Sequence, residues 1–179
     1  MEATLERESG SVAQQAFVRL ADRELHRAYR LAGLILGNQQ DAEDATQDAL
    51  VRAWVAASSL HSWDDFQAWF DRILVNVCRD RLRRRRLVRF IPIGIEHDRP
   101  GGDQFQQVLA EDELLRAMAG LDADLRTVVV LRYWADLPVE AIARRMGTPS
   151  GTVKSRLNRA MAEMRSRVEP EPGQQEALR

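Results

Sequence analysis

A chain of 179 residues with a formal net charge of −1 has room for one domain or two small ones, and its overall charge does not mark it as a nucleic-acid binder. A single cysteine, Cys78, excludes an internal disulfide and fits a reducing compartment, while His26, His61 and His97 lack the spacing of a zinc site. No run approaches the roughly 18 apolar residues of a membrane span, and the opening MEATLERESG is too acidic for a signal peptide, so the expectation is a cytoplasmic chain without membrane insertion, metal or cofactor.

Nearly everything else reads as helix. From about Ser11 to Leu36, Phe17, Leu20, Ala21, Ala28, Leu31, Ala32 and Ile35 recur at spacings of three and four. Gly37-Asn38 ends that helix, and Asp41 is the expected cap of the next, DAEDATQDALVRAW, whose early carboxylates suit a helix N-terminus. Ser58 to Asp65 reads as a loop, followed by a long helix from Phe66 to about Arg86. The composition shifts at Phe90: FIPIGIEHDRPGGDQ has two prolines, a Gly-Gly pair and no helical period. Helical pattern resumes near Val108 and runs through Val168, interrupted at Gly120, at Asp136-Leu137-Pro138 and at Gly147. The expected fold is therefore all-α, with two small helical domains joined by a flexible linker. The boundaries are a disordered tail at 1–10, a first domain at 11–89, a linker at 90–109, a second domain at 110–168 and a disordered tail at 169–179.

Charge is distributed more informatively than its sum. The basic residues cluster in RDRLRRRRLVR, Arg79 to Arg89, and again between Arg144 and Arg167. In the second cluster RRMGTPSGTVKSRLNRAM reads as helix, tight turn, helix, with Ser150 as a candidate N-cap. That is the outline of a helix-turn-helix, whose second helix enters the major groove. Turned at 100° per residue, this last helix puts Val153, Leu157, Ala160 and Met164 on a core stripe. Thr152, Ser155, Asn158 and Arg159 lie opposite, flanked by Arg156 and by Lys154, the chain's only lysine. Such donors suit base edges and phosphates. A solvated surface is the blander account of the same residues.

Two further faces carry chemistry. On the long helix, Phe66, Phe70, Ile73, Leu74 and Val77 form a core stripe, and Arg72, Arg79, Arg83 and Arg86 line the opposite side with Asn76 at its margin. Arginines at this spacing can track a phosphate backbone, and Trp63, Phe66 and Trp69 near its start suit unstacked bases, although core tryptophans with solvated arginines, or a nuclear-targeting or RNA-binding basic run, would read the same. On DAEDATQDALVRAW, Ala42, Ala45, Ala49 and Ala53 point inward while Asp44, Gln47, Asp48 and Val51 form a candidate protein-docking face. For any one of these carboxylates, a partner for the helix dipole is the simpler reading.

Taken together and in this order, DAEDATQDALVRAW, FQAWFDRILVNVCRDRLRRRR and VEAIARRMGTPSGTVKSRLNRAMAEMR resemble the extracytoplasmic-function (ECF) sigma factors of bacterial RNA polymerase. The resemblance covers roughly 16–87 and 112–168. It implies a first domain that binds the polymerase clamp and recognises and opens the −10 promoter element as single-stranded DNA. It implies a second that binds duplex −35 DNA and the polymerase flap, a linker that threads through the polymerase, and an anti-sigma factor as inhibitor. By position, Asp44 and Gln47, with Asp48 and Val51 beside them, match the core-polymerase docking segment. Asn76 matches the asparagine beside the opened non-template strand, with Arg79 and Arg83 following and Arg72, Trp69, Leu60 and Trp63 near it. Lys154, Ser155 and Arg159 match the −35-reading positions, with Thr148, Ser150, Thr152, Arg156 and Asn158 around them. Leu60 and Trp63 depart from the family's usual loop, where many members place an aromatic differently, and Cys78 replaces a common small or aliphatic residue.

A helix-turn-helix regulator acting alone on duplex DNA would also account for the carboxy-terminal half, but it leaves the first ninety or so residues without a task. An adaptor that only mimics these surfaces would waste two basic faces. An enzyme lacks support, since no Gly-rich phosphate loop, ligand set or nucleophile–base pairing is present.

Overall fold

The computed structural model describes the backbone of residues 2–89 and 113–168 and the side chains of 14–85 and 114–168. The expected linker at 90–109, the tail at 169–179 and the side chain of Arg86 lie outside the described residues. Within them the chain is helical: α1 Glu2–Leu36, α2 Gln39–Val55, α3 Phe66–Arg89, α4 Glu113–Ala119, α5 Ala123–Val129, α6 Val139–Met146 and α7 Ser150–Val168. Short 3-10 turns, Ala57–Ser59 and Trp63–Asp65, occupy the loop expected between α2 and α3. A wide π-turn at Val130–Trp134 continues α5.

Three local expectations are corrected. Helix α1 begins at Glu2, so residues 2–10 are helix and not tail. EATLERE consists largely of good helix formers with carboxylates early, and local preference suffices. The cap of α2 is Asn38, whose side-chain oxygen accepts from the Asp41 N–H at 2.9 Å, so Asp41 lies inside the first turn. Ser150 is the first residue of α7, and the Pro149 carbonyl accepts from the Val153 N–H at 3.2 Å.

The first domain is a three-helix packing of α1–α3. Ala42, Ala45, Ala49 and Ala53 present a fully buried face of α2, where small side chains admit close approach of Leu31, Ile35, Phe66, Phe70 and Leu74. In the second domain Ala117, Leu121, Leu125, Val129, Ala160 and Met164 join α4, α5 and α7. The domains do not lie apart. The core of the first continues into Val128, Val130, Leu131, Ile142, Ala143, Met146 and Val153 of the second. Helix α3 is buried along two stripes: Phe66, Phe70, Leu74 and Val77 belong to the predicted one, whose Ile73 is only half-buried, and Asp71, Val75 and Cys78, at the same helical spacing, form a second.

Polar groups close this seam. Asp71, 1% exposed, accepts from Arg27 of α1 at 2.5 Å and from Arg145 of α6 at 3.1 Å. Burial opposes the Arg27 charge, but Asp71 and then Glu24 outweigh it and hold the guanidinium above its usual value. Arg30 of α1 stacks over the Trp134 ring at 5.7 Å. Each fully buried Val or Leu contributes about 1.5–3 kcal/mol, whereas a buried ion pair is nearly neutral against an apolar replacement. The apolar seam therefore supplies the association, and the Asp71 pairs satisfy the charges buried within it.

Cys78 sits in this seam, and burial pushes its thiol up to about 12 even though the Arg81 charge acts in the opposite sense. Thiolates, not thiols, are alkylated. Iodoacetamide should therefore modify native protein at neutral pH only as fast as the chain opens, as read by mass spectrometry. Immediate labelling would place the sulfur at the surface.

Candidate nucleic-acid and polymerase interface

The turn between α6 and α7 follows from one glycine. Gly147 has φ 60°, a left-handed conformation, and its N–H returns to the Arg144 carbonyl while the Thr148 N–H reaches that of Ala143 at 3.0 Å. A Cβ here would meet nothing within 4 Å, so backbone conformation and not space calls for glycine. Behind the turn, Ile142, Met146 and Val153 are buried and fix the angle between the helices.

On α7 the predicted outer face is largely free. Lys154, Ser155, Asn158 and Arg159 are exposed, and Thr148, Ser150 and Thr152 are half-buried at the turn. Arg159 leans on Glu163 at 2.8 Å, an exposed i,i+4 pair worth about 0.3–0.5 kcal/mol, so it is readily given up for a better acceptor. Arg156 differs. It is half-buried and donates to Asp124 of α5 at 2.6 Å, so the phosphate-facing position expected for it is not what this structure presents.

The paired and exposed arginines of α3, on its predicted stripe and beside it, divide three ways. Arg72 is exposed beside Asn76. Arg81 and Arg85 turn to the carboxylates of α2, Arg81 binding Asp48 at 2.5 Å and Asp44 at 3.6 Å, and Arg85 binding Asp41. Arg79 and Arg83 turn to the second domain. Arg79 is only 8% exposed, so its expected place on a solvent face is corrected: it donates to Asp124 at 2.8 Å and to the Met146 carbonyl at 3.0 Å. Arg83, more open, reaches Asp124 at 3.4 Å. Burial works to raise the Asp124 carboxyl, but the hydrogen bond and charge of Arg79, then the charges of Arg156 and Arg83, hold it below the usual aspartate range. At the start of α3, Trp63 is exposed, and Leu60 and Trp69 are half-buried, with Trp69 leaning on Phe66 at 5.9 Å between ring centroids.

The α2 face keeps Gln47, Asp48 and Val51 exposed, with Asp44 half-buried. Trp54 and Val55 enlarge its apolar part, Val51 being 64% and Val55 78% exposed. Val55 stands four residues beyond Val51 on the same stripe, and sequence reasoning left it out because the stretch DAEDATQDALVRAW ends at Trp54.

It also missed Arg126. This buried residue of α5 donates to the carbonyls of Met118 and Ile35, each at 3.1 Å, to that of Leu121 at 3.5 Å, and to that of Ala119. It thereby ties the end of α1 to the turn after α4. Burial, then the Arg85 charge, pushes its guanidinium down to about 10, which leaves it protonated near neutral pH. A signal was available: in DLRTVVVL an arginine stands in a nearly continuous apolar run.

Among the described residues no cluster of three His, Cys, Asp or Glu side chains could hold a metal, and no helix is long and apolar enough to cross a membrane. The arrangement is that of a binding protein with a helix-turn-helix and a second polar and aromatic face. Residues 12–88 match the family description Sigma-70 region 2, and 111–164 match Sigma-70, region 4. The ECF RNA polymerase sigma factor SigM of Mycobacterium tuberculosis is 36% identical over 149 residues, covering 83% of this chain and 75% of that one. SigW of Bacillus subtilis, also an ECF RNA polymerase sigma factor, is 27% identical over 169 residues, covering 87% and 90%. Among solved structures, the sigma factor RpoE in complex with the anti-sigma factor NepR from Bartonella quintana superposes with a TM-score of 0.64 at 26% identity, covering 87% of this chain and 98% of that one. CnrH in complex with the cytosolic domain of CnrY gives 0.54, also at 26% identity, covering 86% and 92%. The chain belongs to the ECF sigma factors of RNA polymerase.

Proposed function

We propose that this chain binds core RNA polymerase and directs transcription initiation in the cytoplasm, acting by recognition and not by catalysis. The α2 face carrying Asp44, Gln47, Asp48 and Val51 docks on the polymerase clamp, and the second domain engages the flap. Lys154, Ser155 and Arg159 read the −35 element in the major groove, with Thr148, Ser150, Thr152, Arg156 and Asn158 around them. Asn76, Arg72, Arg79, Arg83, Leu60, Trp63 and Trp69 serve the −10 element once its bases are exposed. The observation that carries this reading is the pairing, on one chain, of a donor-rich exposed helix-turn-helix face with Asn76 and Trp63 exposed beside a basic helix. An anti-sigma factor is the expected regulator, as NepR is described with RpoE.

Run-off transcription with core polymerase tests the reading: addition of this protein should produce initiation at a cognate promoter that core alone does not give. A regulator of an existing holoenzyme would leave core inactive.

Within such a holoenzyme Arg159→Ala should cost about 1–3 kcal/mol and relax preference at one −35 position. Binding to a library of −35 variants reads this directly. A uniform loss across all variants would make Arg159 a phosphate contact instead.

A further inference from the structure

Asp124 has a place in this chain that family membership does not supply. Its carboxylate, on the first turn of α5, gathers three guanidiniums from two other helices: Arg79 at 2.8 Å and Arg83 at 3.4 Å from α3, and Arg156 at 2.6 Å from α7. These are residues assigned above to the two promoter elements. One carboxylate balances one of three positive charges, and Asp124 is itself partly open, at 20% side-chain exposure. Beside it a cleft of about 450 Å³ runs between the domains, lined also by Arg83, Thr152, Ser155 and Arg159. Donors exceed acceptors there. The Nη1 of Arg156 is buried and has no hydrogen-bond partner, and such a group in a folded protein calls for an explanation.

We propose that Asp124 is an internal stand-in for a DNA phosphate, holding the −10 and −35 arginines together in a closed chain that must release them before DNA can bind. A carboxylate and a phosphodiester each offer two anionic oxygens to guanidinium forks, so both satisfy the same donors with the same geometry. Occupation by one excludes the other. The closed chain therefore carries low affinity for DNA, although its arginines are those DNA would use, and opening the seam delivers Arg79, Arg83 and Arg156 at once. The Arg79 bond to the Met146 carbonyl couples this release to separation of α3 from the turn that precedes α7. This inference rests on the promoter-reading assignment, and the two fail differently.

The test uses the full chain without polymerase. Asp124→Asn keeps the shape and removes the charge, while the cap of α5, Asp122 on the Leu125 N–H, is untouched. Binding to a fluorescein-labelled DNA that carries a duplex segment and a single-stranded tail, measured by anisotropy, should tighten about tenfold, the equivalent of one charge-assisted competitor removed. Adding Arg83→Ala and Arg156→Ala should abolish that gain. Unchanged affinity for a folded Asp124→Asn chain would overturn the proposal. Should that variant not fold, small-angle neutron scattering of the parent with the DNA contrast-matched decides: saturating DNA should enlarge the protein's radius of gyration, and DNA bound to a chain of unchanged radius would overturn it. If the parent fails to initiate with core polymerase, the promoter-reading assignment falls. If it initiates and neither DNA measurement responds, only the role of Asp124 falls.

Discussion

Replacing Asp44 and Gln47 together by arginine is expected to abolish co-purification with core RNA polymerase while leaving the helical circular-dichroism spectrum unchanged. Both side chains lie on the outer face of α2, apart from its buried alanines. The ties of Asp44, to Arg81 at 3.6 Å and Gln40 at 3.5 Å, are long and exposed, and such pairs contribute about 0–1 kcal/mol. Arg81 keeps its shorter partner Asp48 at 2.5 Å, so the charge reversal strands no group. At a docked interface the same reversal juxtaposes like charges, which costs several kcal/mol, or at least about a hundredfold in affinity. Retention of the double variant on tagged core polymerase would remove α2 from the docking surface.

The largest stability loss should come from Arg126→Leu. Leucine fills much of the volume but leaves four carbonyl oxygens, those of Met118, Ala119, Leu121 and Ile35, without this donor. A hydrogen bond to a charged group contributes about 1.5–3 kcal/mol, and buried acceptors left unmade cost more. Because water will reach some of them, a net loss of about 3 kcal/mol is the expected value, or roughly 6–12 °C in Tm for a chain of this length. Arg126→Lys should recover little, since one ammonium lacks the planar fork that reaches carbonyls on both sides. Urea or thermal melts measure both. A loss below about 0.5 kcal/mol, typical of an unremarkable surface site, would show that the carbonyls find other partners.

How legible these features were depended on whether they repeat along the chain. The alanine face of α2, the Phe66–Phe70–Leu74–Val77 stripe and the turn at Gly147 are written locally, by helical period or by one backbone conformation, and the structure has them as expected. The second buried stripe of α3 was harder to see because Asp71 stands in it, and a carboxylate ordinarily signals solvent. Arginine was the least legible residue. Arg72 in solvent, Arg81 on an α2 carboxylate, Arg79 on Asp124 and Arg126 on carbonyls differ by partners as far as ninety-one positions away in sequence. Spacing on one helix could find the arginines but not divide them. The same limit hid the closure of the two domains, whose seam pairs α3 with α6 across the segment at 90–112.

Gly120 leaves its side-chain position to another residue. A Cβ there would lie 2.7 Å from the guanidinium of Arg167, which donates to the carbonyls of Ala117 and Gly120 at 3.1 and 3.0 Å. The final turn of α7 thus fastens onto the turn that ends α4, buckling the last helix of the domain to its first. The exposed start of α7, proposed above to meet DNA, and this buckle sit at opposite ends of one rod, so a chain cut just before Arg167 would keep Lys154, Ser155 and Arg159 and hold the rod less firmly. Fraying at the far end would then appear as tilt of the proposed reading face, a loss of aim without the loss of any donor.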